Sequence, residues 1–238
     1  MDKALFVAAF FFAYTVQAIT GFAGNLFAMP VGTTLLGLTS SVAILNTMGF
    51  LACGSLALIN YKHIHWRELA KMVSVMLPFV LIGIWLDTLL PLSALLKVYG
   101  ALIVVVGLRG LLAKKQRFLP EWALWIVIGL AGLIQGMFVS GGALLVIYAI
   151  QKITDKQQFR ATLSAVWMVL NFLYACIAFG QGSFTSSVFD VIVWCIPAAI
   201  VATLLGQRLQ KHLSQERFLK CTYVILLGIG LVLLVTSS

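Results

Sequence analysis

The sequence predicts an all-α polytopic membrane protein made of two inverted repeats, each a broken, re-entrant helical hairpin followed by three transmembrane helices. Three observations predict it. The 238 residues are 62% hydrophobic and only 10% charged, whereas a soluble domain averages about 25% charged. Long stretches carry no charge at all: Ala4–Tyr61, Trp122–Gln151, Ala161–Phe189, Val191–Gln207 and Cys221–Ser238. The chain also echoes itself on the two sides of its most polar joint, Ala113–Glu121. Apolar runs of about 20 residues suit a hydrocarbon core about 30 Å thick. A transmembrane barrel would alternate polar and apolar residues, and these runs do not.

The first repeat, 1–112, opens with a hairpin at 4–37 and continues with spans at 41–60, 71–88 and 92–112. Residues 113–121 form a cytoplasmic linker. The second repeat, 122–238, opens with a hairpin at 122–151, followed by spans at 161–180, 188–207 and 217–235. The basic, apolar start of the chain has the look of a signal peptide. It is read as a retained first segment because its end is echoed later. Gln17 and Gly24 recur as Gln135 and Gly142, both 118 positions on, and Pro78 recurs as Pro197, 119 on. The run Leu92–Lys97 returns as Leu213–Lys220 with two extra residues, and Gly107-Leu108 returns as Gly230-Leu231.

Charge selects the topology. Eight simple crossings would leave eight of the 16 basic residues on each side, with no bias toward the cytoplasm. Short cytoplasmic loops should be rich in Lys and Arg. If 4–37 and 122–151 each enter and return on one face, the clusters 62–71, 109–117, 152–160 and 208–220 all lie inside. They hold 14 of the 16 basic residues, leaving Lys3 and Lys97 outside. Both termini are then external, the halves are inverted, and the protein is a multi-pass plasma (inner) membrane protein. Inverted repeats around broken helices are a recurrent transporter plan. The net charge of +9 therefore reflects membrane topology and not nucleic-acid binding.

Length agrees with a break. A continuous helix over the 30 residues of Trp122–Gln151 would run about 45 Å, well beyond the hydrocarbon core. Glycines stand at 129, 132, 136, 141 and 142. A tilted rod with a glycine-rich packing face would account for them, but not for the charge pattern. Ser140-Gly141-Gly142 is thus read as a turn between half-helices, matched in the first half by Thr20-Gly21-Phe22-Ala23-Gly24-Asn25. Non-helical backbone at membrane depth is tolerated only within protein or beside water. Two such turns presenting positive helix N-termini would form a midplane anion site.

At these residues the sequence resembles the sulfite exporter TauE/SafE family of membrane permeases, over essentially the whole chain. The motif residues are Gly21-Phe22-Ala23-Gly24-Asn25, followed by Pro30, and Gly136-Met137-Phe138-Val139-Ser140-Gly141-Gly142. The resemblance implies movement of sulfite, organosulfonates or related sulfur-containing or carboxylate anions.

The candidate substrate-binding residues are Gln17, Thr20, Gly21, Gly24, Asn25, Gln135, Ser140, Gly141, Gly142, Asn46 and Asn171. Gln17 and Gln135 can donate amide hydrogens to an oxyanion, or else satisfy freed backbone at the breaks. Thr20, Asn25 and Ser140 are short polar groups suited to capping a helix N-terminus. Asn46 and Asn171 sit inside spans, where polar side chains face other helices. Trp167 and Tyr14 could wall a pocket. Arg109 and Arg160 lie at cytoplasmic edges, as snorkelling anchors or as attractors of anions. Asp87 and Asp190 fall at outer edges, so no carboxylate occupies a span centre to relay protons.

The function expected is secondary transport of a small anion by alternating access. No GxxxxGK[ST] loop suggests an ATP motor. A channel would share the anion site. An intramembrane hydrolase at Ser140 would need a base nearby, and His63, His65 and His212 lie in predicted cytoplasmic loops. The protein is therefore read as not an enzyme, with no catalytic residues, no cofactor and no metal. Cys53, Cys176, Cys195 and Cys221 stand singly. The partners are a small anionic substrate and the lipid bilayer, with no nucleic acid, and a homodimer is compatible with the sequence.

Overall fold

The computed structural model describes residues 2–22, 24–87, 97, 100, 101, 104, 105, 107, 108, 111, 112, 119–139, 141–212 and 214–236. Every regular element among them is a helix. In chain order these are α1 Asp2–Thr20, α2 Gly24–Leu36, α3 Leu38–Ile59, α4 Trp66–Asp87, α5 Glu121–Phe138, α6 Gly142–Lys152, α7 Lys156–Gly180, α8 Ser186–Lys211 and α9 Gln215–Thr236. A short 3-10 turn, Tyr61–His63, joins α3 to α4. By length and composition α1, α3, α4, α7 and α8 can cross a membrane. The expected span 92–112 and the linker 113–121 lie largely outside the described residues.

The chain divides into two compact units: Met1–Val73 with Ile153–His212, and Ser74–Lys152 with Leu213–Ser238. The first unit packs α1 against α2 and α8, α2 against α3, and α3 against α7 and α8. Its core draws Phe6, Phe10, Ala13 and Tyr14 from α1, Ile44, Leu45 and Met48 from α3, and Val188, Val191, Ile192 and Cys195 from α8. The α1 residues recur at three- and four-residue intervals, which places them on one helical face. At the exposed edge Lys3 pairs with Asp190.

Helices approach closely where a side chain is missing. In the first unit, a Cβ on Gly206 of α8 would meet the Thr15 carbonyl oxygen of α1 at 2.8 Å and Ala18 Cβ at 2.5 Å. In the second unit, a Cβ on Gly83 of α4 would meet the Leu133 carbonyl oxygen of α5 at 2.2 Å and Gly136 Cα at 2.9 Å. Leu133 and Gly136 lie 118 positions beyond Thr15 and Ala18, so α5 and α1 are approached at matching positions, although the approaching glycines, Gly83 and Gly206, are not at that offset. Gly132 also touches α4, since its Cβ would stand 2.6 Å from the Met76 carbonyl oxygen. Gly132 and Gly136 thus serve helix packing, while the break itself begins beyond them.

Trp122–Gln151 is not one rod. Helix α5 ends at Phe138 and α6 begins at Gly142; α1 ends at Thr20 and α2 begins at Gly24. Every one of these boundaries shifts by 118 between the two breaks. So does the left-handed residue that stops each first arm: Gly21 at φ 89° and Val139 at φ 54°. Left-handed backbone suits Gly21 but strains a β-branched valine. The turn chemistry thus differs from the expectation at 140–142. Among the described residues the left-handed angle belongs to Val139, and Gly141 is required for space. A Cβ there would stand 2.1 Å from the Ala131 carbonyl oxygen.

Candidate functional site

In the first unit the break is buried among polar groups. Gln17 Nε2 donates to Cys53 Sγ at 2.9 Å. A Cβ on Gly24 would fall 2.0 Å from Gln17 Oε1, so only glycine leaves room for that amide. The Gly21 amide donates to the Gln17 carbonyl at 2.6 Å. Among the described residues no hydrogen bond caps α2 from Thr20 or Asn25, although Thr20 Oγ1 accepts from the Phe22 amide at 3.5 Å. Thr20 is the last residue of α1 and donates Oγ1 to the Val16 carbonyl at 2.9 Å. Asn25 is the second residue of α2, where its Oδ1 accepts from Tyr14 Oη at 3.0 Å. Tyr14 is therefore a strut between the break and α3, since the same hydroxyl also reaches the Leu45 carbonyl at 3.2 Å.

The second unit repeats this economy with a different partner. Gln135 Oε1 accepts the Gly141 amide at 3.0 Å, so this side chain satisfies backbone freed by the break. Gly142 opens α6. Ser140 and Arg109 lie outside the described residues.

Asn46 and Asn171 are both buried, and their Oδ1 atoms have no partner among the described residues. Asn46 Nδ2 donates back to the Val42 carbonyl at 2.8 Å. Asn171 Nδ2 occupies space that Gly49 leaves open, 2.5 Å from where a Cβ would stand. The first unit therefore gathers Gln17, Thr20, Gly21, Gly24, Asn25, Asn46 and Asn171, and the second gathers Gln135, Gly141 and Gly142.

The most consequential group is Arg160. It is 8% exposed, and its stem lies against the first break, 3.4 Å from a Cβ built on Gly21. Nη1 reaches Gln210 Oε1 at 3.4 Å, while Nε and Nη2 have no partner among the described residues. Among the described residues no carboxylate pairs with it. Arg160 lines a polar cavity of about 70 Å³ with Asn60, Gln157, Ser164, Gln207 and Lys211. Gln207 also lines a second, apolar recess of about 260 Å³ between α3 and α8, beside Met48, Leu51, Ile196 and Ile200. A buried cation without a counter-charge is costly. An entering anion would supply that charge, and a planar guanidinium suits bidentate binding of oxyanions.

Sequence reasoning missed Ser164, Gln207 and Gln210. The one signal for Ser164 was its four-residue spacing from Arg160. The glutamines come from α8, some fifty residues away in sequence, and no local pattern connects them to the site.

The comparisons with known proteins agree with one another. Residues 6–233 match the family model described as sulfite exporter TauE/SafE. The chain is 28% identical over 222 residues to a probable sulfite/organosulfonate exporter TauE of Cupriavidus necator, covering 90% of this chain and 86% of that protein. It is 28% identical over 176 residues to a probable inner membrane transporter protein TsaS of Comamonas testosteroni, covering 73% and 74%. No solved structure matches.

Proposed function

The chain belongs to the sulfite exporter TauE/SafE family of membrane anion transporters, and on that premise we propose that it moves sulfite, an organosulfonate or a related small anion by alternating access. It is a transporter and not an enzyme. One observation carries the substrate reading: Arg160 is buried against the first helix break with two guanidinium nitrogens unmet among the described residues, and it lines a polar cavity. In this reading Arg160 is the cationic anchor. The break at Thr20–Gly24 supplies an oriented helix end, and Asn46 and Asn171 supply uncharged polar contacts.

Two features support two related halves working in opposite directions. The helix ends, the left-handed residue and the α1 and α5 side of the close crossing recur at an offset of 118. The basic residues cluster where an inverted arrangement places the cytoplasm, with both termini external. The shared position of Gln207 favours the organosulfonate member of the class, with an anionic head in the polar cavity and an organic tail in the apolar recess.

Ligand-dependent thermal unfolding in detergent tests the substrate class. Sulfite, methanesulfonate and longer sulfonates should raise the midpoint, whereas choline and glucose should not. Stabilisation by none of the sulfur anions or carboxylates would remove this reading.

A further inference from the structure

Helix α7 carries Arg160, Ser164, Trp167 and Asn171 at successive spacings of four, three and four. That rhythm marks one face of an α-helix. All four are buried, at 8%, 1%, 5% and 2% exposure. Each has a polar atom without a partner among the described residues: Arg160 Nε and Nη2, Ser164 Oγ, Trp167 Nε1 and Asn171 Oδ1. Buried polar side chains are satisfied in the large majority of cases, so four exceptions on one stripe call for a common cause.

Inside the first unit, the Arg160–Ser164 end of the stripe meets residues of α8, and the Asn171 end meets α3. Arg160 and Ser164 line the polar cavity with Asn60 of α3 and Gln207 of α8. Asn171 packs over Gly49 of α3, one turn from Asn46, whose Oδ1 is also unmet. Arg160 and Asn171 are eleven residues apart, about 16 Å along the axis. That is roughly half of the ~30 Å hydrocarbon core.

We propose that this face is the route by which the anion travels beyond Arg160, with Ser164, Trp167 and Asn171 as successive rungs that replace its hydration water. The proposal rests on the transport reading above. The chemistry of the rungs defines the cargo. Arg160 and the Trp167 indole N–H donate and cannot accept, Ser164 Oγ can donate, and Asn171 can turn its amide nitrogen toward an anion, so the Arg160–Trp167 stretch favours an anion over a cation. Neighbouring rungs are about 5–6 Å apart, which lets an anion with several oxygens hold one rung while reaching the next. A halide must offer the same single centre to both rungs, whereas a sulfonate can give each rung a separate oxygen. Trp167 is thus the specificity-determining residue for oxyanions over halides.

The test uses full-length protein in proteoliposomes, with labelled methanesulfonate and with chloride. Trp167→Phe keeps the ring but removes the donor. It should lower the maximal rate at least tenfold, change KM far less, and reduce the preference for sulfonate over chloride. A merely structural tryptophan would not move that preference. Ser164→Cys, in a background with Cys176 and Cys221 replaced by serine, should react with an anionic maleimide and be protected by excess methanesulfonate. The route is overturned if Trp167→Phe and Ser164→Ala both transport like the unaltered protein while Arg160→Gln does not. It is also overturned if Ser164→Cys is unreactive, or is labelled with no protection. If the unaltered protein moves no anion, the transport reading itself fails, a separate outcome.

Discussion

Replacing Arg160 by glutamine separates binding from stability. The side chain is buried, and only one guanidinium hydrogen bond is present among the described residues, a long one of 3.4 Å to Gln210. Nε and Nη2 remain for ligand. A hydrogen bond to a charged group is worth about 1.5–3 kcal/mol, so losing two amounts to about 3–6 kcal/mol. That corresponds to affinity weakened on the order of 100- to 10,000-fold. Folding should respond differently. Removing a buried cation that has no counter-charge among the described residues relieves its desolvation cost, so the thermal midpoint without ligand should hold or rise. Arg160→Lys should fall between, because an ammonium keeps the charge and loses the planar fork. Methanesulfonate titration followed by thermal unfolding in detergent reads both quantities. Native-like affinity in Arg160→Gln would refute the reasoning, as would a large fall in stability with affinity unchanged, which would make the arginine a packing element.

Three further outcomes follow from the geometry. Gly141→Ala places a methyl 2.1 Å from the Ala131 carbonyl oxygen and should destabilise by about 1–3 kcal/mol. Gly228→Ala in α9, with nothing within 4 Å, should be neutral or stabilising by about 0.5–1 kcal/mol; thermal unfolding compares the two. Gly49→Ala should likewise lower the midpoint by driving its methyl into Asn171 Nδ2, and adding Asn171→Ala should restore most of the loss in a double-mutant cycle. Single cysteines at 155 and 183, at opposite ends of α7, should label from opposite sides of the membrane, with 155 cytoplasmic and 183 external. Labelling of both from one side would contradict the topology.

Much of this was legible in the chain because its signals are local. Charge-free runs mark a membrane protein whatever their packing, and the glycine-bearing segments before Pro30 and at 136–142 carry the family resemblance. Gln17 and Gln135 were readable as a pair from their spacing to Gly24 and Gly142. What each amide does was not readable, because Cys53, which Gln17 reaches, lies on another helix. Val139 was invisible for the opposite reason. A β-branched residue is a poor choice for left-handed backbone, so propensity pointed past it to the glycines. The Arg160 cavity needs α3, α7 and α8 together, and only the folded first unit brings Asn60, Ser164 and Gln207 to one arginine.

The central claim is that a buried arginine beside a helix break, with no carboxylate partner among the described residues, serves a travelling anion. Flux of labelled sulfite or methanesulfonate into proteoliposomes tests it most directly, with purified protein shown to be folded. The account predicts saturable uptake that Arg160→Gln abolishes. Uptake of neither anion by the unaltered protein, or equal uptake by the Arg160→Gln variant, would contradict it.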